Sequence, residues 1–305
     1  MREPWRSSTR FERGTRAIQH KEIRVDIRDN PLASGRDASP GNGDDDRAAS
    51  SLFVSSTAKA FRVLHAFDGA ARYMTLADIA RAAELDRSAT QRLVYTLEAL
   101  GYLRRVPETK TYGLTSKVLQ FSFNYVRSHE LIDKALPYLL EINRTLGETT
   151  NLQEIDGRQI VFVARFLSRH LVNVDIAVGS RLPAFCTASG TAILSRLPAA
   201  EQDAMLAAET LMPITPYTEI DPDKLRRRIR RAAEQGYAIV ANETVLGDIS
   251  VAAPIIDQRG IAVAAINISV PTSRWTVEKV EAELAKYVQV AATSISKAKF
   301  NGYGR

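Results

Sequence analysis

Two stretches of this chain place cationic and amide side chains at a spacing that suits contact with nucleic acid. The first is a helical segment that starts at Arg87, and its outward residues carry groups that can pair with base edges or phosphates in a major groove. The second is a pair of β-favouring runs around the turn Pro107–Lys110, which predicts a hairpin with cations on the phosphate backbone. The predicted DNA-binding residues are Arg87, Ser88, Thr90, Gln91, Arg92 and Tyr95 in the helix, with Arg104, Arg105 and Lys110 in the hairpin.

The elements that must position these side chains predict a winged helix-turn-helix over residues 52–114. Thr75 and Asp78 have the spacing of a capping box, which starts a short helix. The next helix is expected over 87–100 and is ended by Gly101. A further helix is expected before Thr75, capped by Ser55–Thr57 and with Phe61, Leu64 and Phe67 near one face. In the helix over 87–100, Leu93, Leu97 and Leu100 are expected to face inward.

The distribution of charge along the chain supports contact with a polyanion. The whole sequence carries 41 basic and 35 acidic residues, a net charge of +6. Residues 52–128 hold 11 basic and 6 acidic residues, a net charge of +5, whereas residues 129–305 hold 20 of each. A cationic excess confined to one module is typical of a nucleic-acid-binding domain. The alternative, a purely structural three-helix domain with a surface hairpin, leaves this local charge unexplained.

Composition excludes several other classes of protein. No run of 18 apolar residues is available for a membrane span, and the N-terminus lacks the apolar core of a signal peptide. The single cysteine, Cys186, cannot form an internal disulfide, and the four histidines show no metal-ligand spacing. We therefore expect a cytoplasmic protein, nucleoid-associated when bound to DNA, with no metal, cofactor or membrane partner. Residues 1–51 predict a disordered tail, although their ten basic residues could also touch phosphates.

The second part of the chain predicts an α+β domain with an antiparallel sheet. A linker helix is expected over 115–128, the domain over 129–300 and a short tail over 301–305. The elements do not alternate as βα units, which argues against a doubly wound nucleotide-binding sheet. Strands are predicted at about 149–155, 160–166, 171–176, 237–241, 249–257 and 261–269, and helices at about 129–146, 189–197, 199–209, 221–235 and 276–298.

The segment from Gly179 to Ala192 is the most informative candidate for a ligand site. Its Gly- and Pro-containing half cannot continue a strand, while Thr187 and Ser189 can cap the following helix and leave backbone N–H groups for a carboxylate. Simple helix capping is the structural alternative. We expect Cys186 to be a small buried hydrophobe, since no cation beside it in sequence activates the thiol.

The arginine-rich run at 225–231 looks like a second nucleic-acid-binding patch. However, Leu225, Ile229 and Ala232 form one apolar stripe, and the arginines occupy the other sides of the helix. A solvated helix face is therefore the preferred interpretation.

Taken in order, several of these segments resemble the isocitrate lyase regulator (IclR) family of bacterial transcription factors. The resemblance covers about residues 52–300 and implies a winged helix-turn-helix, a GAF/PAS-like effector-binding domain and a homodimer or dimer of dimers on DNA. It also implies effector contacts at Ala188, Ser189, Gly190, Ser250, Asn267 and Ser269. The segments that carry the resemblance are Thr75–Ala80, 87–100, Gly101–Leu103, 179–192, Gly236-Tyr237 and the strand pair over 249–269.

The resemblance extends to the kind of effector. Ser180–Thr187 looks like the subgroup that controls breakdown of aromatic acids through the β-ketoadipate route, which favours an aromatic carboxylate or its ring-opened product. Val240 stands where some acid-binding relatives have an acidic residue, and Asn267 where serine is common, so a more apolar pocket is expected. The two-fold symmetry of a dimer predicts a palindromic operator whose half-sites lie ~34–36 Å, or a multiple of that distance, apart.

Two other functions remain as alternatives. A hydrolase could use Ser189 or Cys186, but the sequence lacks Gly-x-Ser-x-Gly, a phosphate loop and a histidine in an evident partner motif, so we expect no enzyme and no catalytic residues. A structural DNA-packaging protein would bind without sequence preference. It would leave a neutral 177-residue domain without a purpose.

Overall fold

The computed structural model describes residues 49–67, 71–170, 176–207 and 211–298. The predicted tails at 1–51 and 301–305 lie outside these ranges, apart from residues 49–51. The N-terminal domain contains three helices followed by a two-stranded hairpin. Its elements are α1 (Ser55–His65), α2 (Leu76–Ala82), α3 (Arg87–Ala99), β1 (Leu103–Val106) and β2 (Thr111–Leu114).

Side-chain caps start the two helices of the helix-turn-helix. Thr75 Oγ1 accepts a hydrogen bond from the Asp78 amide at 3.3 Å, and the Asp78 carboxylate accepts one from the Thr75 amide at 3.2 Å. The predicted capping box is therefore confirmed. The Thr75 hydroxyl also donates to Asp78 Oδ2 at 2.6 Å, and this bond, together with the one from the Thr75 amide, lowers the pKa of Asp78. Helix α3 begins in the same way, since Asp86 Oδ1 accepts a hydrogen bond from the Ala89 amide at 2.8 Å.

The packing of α1 and α3 differs from the predicted faces in three respects. Helix α1 begins after Val54 without a side-chain cap, so the cap predicted from Ser55–Thr57 is wrong. Phe61 is exposed, and Val63 instead occupies the core. In α3 the buried stripe is Thr90, Val94 and Leu97, which leaves Leu100 at the helix end 53% exposed.

The wing, formed by β1 and β2, is attached firmly to the segment that precedes α2. Met74 forms an isolated antiparallel bridge with Tyr112. Gly113 lies directly under Tyr73, where an added Cβ would come within 2.8 Å of the ring. This close approach allows the wing to pack against the domain and fixes the direction of its side chains.

A linker helix and a second domain follow the wing. The linker contains a 3₁₀ turn at Ser116–Val118 and α4 (Leu119–Ser128), and a kink at His129 separates it from α5 (Glu130–Leu146). No helix within the described ranges is long and apolar enough to cross a bilayer. The remaining elements are β3 (Thr149–Asp156), β4 (Gln159–Phe166), β5 (Arg181–Pro183), a 3₁₀ turn (Ala184–Cys186), α6 (Ala188–Leu194), α7 (Ala199–Met205), α8 (Pro222–Gln235), β6 (Ala238–Ala241), β7 (Asp248–Ile256), β8 (Ala262–Pro271) and α9 (Val277–Lys297).

The second domain is built around a six-stranded antiparallel sheet in the order β5-β4-β3-β8-β7-β6. Helices α5 and α9 contribute to the core on one face, and α6 and α8 to the core on the other. The predicted α+β class, with a winged helix-turn-helix before an antiparallel sheet, is confirmed. Most of the strand predicted at 171–176 falls on residues 171–175, which lie outside the described ranges, and the strand that pairs with β4 at this edge is β5.

Strand β4 contains an irregularity that changes which residues share a face. Leu152 pairs with Ala164, but the next residue, Gln153, pairs with Phe162, so Val163 is an extra residue in β4. A bulge of this kind reverses the alternation of side chains beyond it. Phe162 and Arg165, three positions apart, consequently face the same side of the sheet as Gln153.

We expect Gly190→Ala to destabilise the second domain strongly. Gly190 packs against the turn before α6, where an added Cβ would lie 2.0 Å from the Ala184 carbonyl oxygen. Because backbone atoms cannot move aside cheaply, the free energy of unfolding should fall by about 3 kcal/mol or more. Urea unfolding followed by circular dichroism measures this loss.

Gly157→Ala is the matched control for this substitution. Gly157, unlike the helical Gly190, has a positive φ, of 55°, and an added Cβ there meets nothing within 4 Å. Only backbone strain of about 1–2 kcal/mol is expected. Equal losses in the two variants would contradict the close packing of α6 on its preceding turn.

Candidate functional site

The exposed side of α3 carries most of the predicted DNA-binding residues. Arg87, Ser88, Gln91 and Arg92 are exposed, and Tyr95 is 73% exposed. Thr90 is the exception, because its side chain is fully buried and its hydroxyl donates to the Asp86 carbonyl at 2.8 Å. The prediction that Thr90 contacts DNA is therefore wrong.

The wing adds a second set of cations beside α3. Arg105 and Lys110 are exposed. Arg104 donates to the Tyr73 hydroxyl at 2.6 Å and lies 5.5 Å from the centre of that ring, which holds its side chain in place.

These cations have no acidic partner among the described residues, whereas several arginines of the second domain have one. Within the described residues, no carboxylate lies in ion-pair range of the exposed cations on α3 or the wing. In α8, by contrast, Arg226, Arg228 and Arg231 each contact a carboxylate. The predicted apolar stripe of α8 is confirmed, since Leu225 and Ile229 are buried together with Ala232. The N-terminal domain thus keeps its positive charge available to an external polyanion.

The second domain contains a polar pocket between the sheet and α6. Five of the six predicted effector-binding residues line it, but Gly190 does not, because it packs against Ala184. The space open to the centre of a water molecule is about 30 Å³, so a bound organic acid must push lining side chains apart. The pocket residues are Asn151, Gln153, Ile160, Phe162, Arg165, Ile176, Leu182, Thr187, Ala188, Ser189, Val240, Asn242, Glu243, Thr244, Val245, Asp248, Ser250, Asn267 and Ser269.

A directed chain of hydrogen bonds crosses four strands at the polar end of this pocket. The Arg165 guanidinium donates to Asn151 Oδ1 at 3.1 Å, and Asn151 Nδ2 donates to Asn267 Oδ1 at 2.7 Å. Asn267 Nδ2 then donates to Ser250 Oγ at 2.8 Å. Because Ser250 accepts this bond, its own hydroxyl proton can be directed to a ligand.

Helix α6 contributes a second polar contact to the pocket. Thr187 caps the helix, as predicted, because its hydroxyl accepts a hydrogen bond from the Gly190 amide at 3.0 Å. Ser189 does not share this capping role. Its hydroxyl donates to Gln153 Oε1 at 2.9 Å. Gln153 is only 1% exposed, and within the described residues its Nε2 donates no hydrogen bond, so this donor remains available in the pocket.

A carboxyl group that sequence reasoning missed faces the same pocket. Ser269 Oγ donates to Asp248 Oδ1 at 2.5 Å. Burial raises the pKa of Asp248 to about 6, while the Ser269 hydrogen bond and the positive charge of Arg165 act in the opposite direction. Asp248 could have been found from its position two residues before Ser250, because alternate residues of a strand share a face.

The other acid at the pocket, Glu243, is already neutralised. Its carboxylate contacts the Arg228 guanidinium, which also donates to the Phe185 carbonyl at 2.9 Å. The Glu219 amide donates to the second carboxylate oxygen at 3.2 Å. Asp248, by contrast, is hydrogen-bonded to Ser269 and forms no ion pair within the described residues.

The pocket offers no arrangement for nucleophilic catalysis. No histidine is present among its described lining residues, so Ser189 has no base to activate it. Cys186 is fully buried, as predicted, and burial raises the pKa of its thiol far above the ordinary value. A neutral, inaccessible thiol is a poor nucleophile.

A winged helix-turn-helix with unpaired cations, followed by a domain with an enclosed polar pocket, defines a DNA-binding transcriptional regulator. Two family models match the sequence: the IclR helix-turn-helix domain over residues 56–107 and the bacterial transcriptional regulator IclR C-terminal domain over residues 123–297. The chain therefore belongs to the IclR family, which consists of transcriptional regulators and not of enzymes.

Individual relatives agree with this assignment. The Pca regulon regulatory protein of Pseudomonas putida is 32% identical over 249 residues, which cover 81% of this chain and 85% of that protein. The transcriptional regulator RHA06195 from Rhodococcus sp. RHA1 has a crystal structure with a TM-score of 0.70 and 34% identity, covering 80% of this chain and 98% of that one. An IclR homologue from Microbacterium hydrocarbonoxydans, crystallised with 4-hydroxybenzoate, has the same fold at a TM-score of 0.67 and 24% identity, covering 79% and 98% of the two chains.

The raised pKa of Asp248 predicts a pH dependence of stability. Since the folded-state pKa of about 6 exceeds the ordinary aspartate value of 3.8, the folded chain binds this proton more tightly than the unfolded chain does. The free energy of unfolding should therefore fall as pH rises from about 4 to about 6, by roughly 2–3 kcal/mol from this group. Asp248→Asn should remove this contribution, which urea titrations of both proteins across that range would measure.

Asp257→Asn is the control for this prediction. Burial raises the pKa of Asp257, but hydrogen bonds from Arg259 and Ile261 outweigh it and lower the pKa overall. Its contribution to stability therefore increases with pH, and its removal should change the slope in the opposite direction. Identical pH profiles for wild type and Asp248→Asn would refute the assignment.

Proposed function

We propose that this chain is a metabolite-responsive transcription factor. Its α3 contacts the bases of a palindromic operator, and its wing binds the flanking phosphate backbone. The observation that carries the proposal is the set of exposed cations on α3 and the wing that lack acidic partners within the described residues. Ser88, Gln91 and Arg92 are assigned to bases or nearby phosphates, and Arg87, Arg104, Arg105, Lys110 and Tyr95 mainly to the backbone. The site of action is nucleoid DNA in the cytoplasm.

The proposed effector is a small organic acid, with an aromatic carboxylate or its ring-opened product preferred. The pocket supports this choice with the Arg165 cation and the donor groups of Ser250 and Gln153. Ile160 and Phe162 supply apolar surface for a ring. The similarity to a regulator of a Pca regulon and the 4-hydroxybenzoate bound to a homologue agree with an aromatic acid.

The signal is proposed to leave the pocket along β3. Gln153 and Glu154 are neighbours, so their side chains point to opposite faces of the sheet. Gln153 holds Ser189 inside the pocket, while Glu154 accepts a hydrogen bond from Tyr125 of the linker helix and lies 3.1 Å from His129 Nε2. A ligand that widens the pocket moves β3 and hence this contact. Regulation then arises from different effector affinities of the DNA-competent and DNA-incompetent arrangements.

A homodimer, or a dimer of dimers, is the proposed assembly. Every residue of α4 except Val126 is exposed, including Leu119, Phe121 and Phe123. A helix with large apolar side chains in water is typical of an interaction surface. A second copy of this helix is the proposed occupant, because a dimer centred on the linker would present two copies of α3 to a palindrome.

Two substitutions should separate base reading from backbone contact. Gln91→Ala should cost about 1–3 kcal/mol on the operator and relax discrimination at one base position. Arg105→Ala should weaken binding to all sequences alike and reduce the salt dependence by about one ion. Fluorescence anisotropy with operator variants and salt titrations measures both effects.

Arg230→Ala is the control for charge, since Arg230 is exposed on α8 in the second domain. It should leave operator affinity and salt dependence unchanged. If all three variants behave alike, or if wild type binds scrambled DNA as tightly as operator DNA, the proposed DNA-reading surface is wrong.

Phe123→Ser tests the proposed dimer. Loss of a buried phenylalanine at the interface, worth about 1.5–3 kcal/mol, should weaken self-association at least tenfold in sedimentation experiments. Affinity for the full palindrome should fall while affinity for an isolated half-site stays constant. Val290→Ser is the control, because Val290 is a 66% exposed residue of α9. Unchanged association in Phe123→Ser would exclude α4 as the dimer contact.

A further inference from the structure

The charged groups of the pocket divide it into two ends of different chemistry. Arg165 lies on β4 and Asp248 on β7, with β3 and β8 between them. Strands β4 and β7 are three inter-strand steps apart, roughly 14 Å. Asp248 also lies four residues along β7 from Ala252, which is the residue in register with Arg165. Both residues line the same cavity. A ligand that fills the pocket therefore meets a cation at one end and a carboxyl group at the other.

The Asp248 end presents hydrogen-bond acceptors. The proton of the Ser269 hydroxyl is directed to Asp248 Oδ1, so Ser269 has only acceptor capacity left for a ligand. Asp248 Oδ2 accepts no hydrogen bond from any residue in the described ranges. A ligand carboxylate placed here would face like charge and no donor, which is unfavourable in a buried site. The carboxylate is better placed towards Arg165 and the Ser250 hydroxyl.

We propose that Asp248, held by Ser269, determines the specificity of the pocket by selecting carboxylic acids that carry a hydroxyl donor away from the carboxylate. This inference rests on the proposed function, in which the pocket is the effector site. A hydroxyl group of the ligand would donate a hydrogen bond to Asp248 Oδ2, and it needs no donor from this end of the pocket. An acid with a hydrogen or an ether at that position would cover these half-buried acceptors and leave them without a partner, which is a costly arrangement.

The test compares acids that differ only in this donor. Isothermal titration of the full chain would use benzoate with 3- and 4-hydroxybenzoate and the two matching methoxybenzoates. We expect wild type to bind at least one hydroxy acid tenfold or more tightly than its methoxy counterpart, which keeps the oxygen but loses the proton. In Asp248→Asn the side-chain amide can donate to the ether, so this ratio should fall to about one or reverse.

Three further variants keep the inference testable if Asp248→Asn folds poorly. Ser269→Ala leaves the Asp248 carboxylate in place and should retain the preference for the hydroxy acid. Arg165→Gln should weaken all acids at least tenfold without changing that preference. Asp257→Asn is the control outside the pocket, because Asp257 is bonded to Arg259 and does not line the pocket, and it should bind these acids as wild type does.

The outcomes distinguish this inference from the proposed function. Equal binding of hydroxy and methoxy acids by wild type, or an unchanged ratio in Asp248→Asn, overturns the role of Asp248 and leaves the effector site standing. Failure of every acid to bind wild type overturns the effector site itself, and this inference with it.

Discussion

The structure depends on the alternation of side chains along one central strand. Strand β3 lies between β4 and β8. Its residue Gln153 faces the polar pocket, and the neighbouring Glu154 faces the opposite side of the sheet, where the linker helix meets the domain. A shift of this strand on one face cannot occur without a shift on the other, because both side chains belong to one hydrogen-bonded backbone. The polar pocket is therefore connected through β3 to the linker helix that follows the DNA-binding domain.

The two domains use their charged residues in opposite ways. In the second domain, acids and bases occur in equal number, and buried or half-buried pairs such as Arg228 with Glu243 neutralise one another. Such pairs require close geometry to offset the cost of desolvation, so they specify how loops and helices fit together. On α3 and the wing the cations remain in water, which costs little and leaves them able to release counterions from DNA. The second domain thus uses its charges in internal ion pairs, whereas α3 and the wing leave theirs available to a polyanion.

Local patterns in the sequence were sufficient to predict most helices and strands but not all of the residues of the candidate site. The capping box at Thr75, the stop at Gly101 and the apolar stripe of α8 depend on neighbouring residues, and the structure contains each of them. Arg165 could not be found in this way, because strict alternation puts it opposite Phe162 and only the extra residue Val163 brings both to the pocket. The misplaced Thr90 has a related cause: its methyl and hydroxyl fit a buried turn of α3 as well as they fit DNA. Predictions failed where pairing between distant strands or helices decided the outcome.

The most direct test of the account is the affinity of the full chain for DNA upstream of its own gene, measured with and without saturating aromatic acid, for wild type and Tyr125→Phe. The account predicts tight, sequence-dependent binding by wild type that the acid changes several-fold. In Tyr125→Phe, which lacks the hydroxyl bonded to Glu154, the acid should bind normally but change DNA affinity much less. Acid binding that leaves the DNA affinity of wild type unchanged would contradict the central claim that pocket and operator are linked through β3.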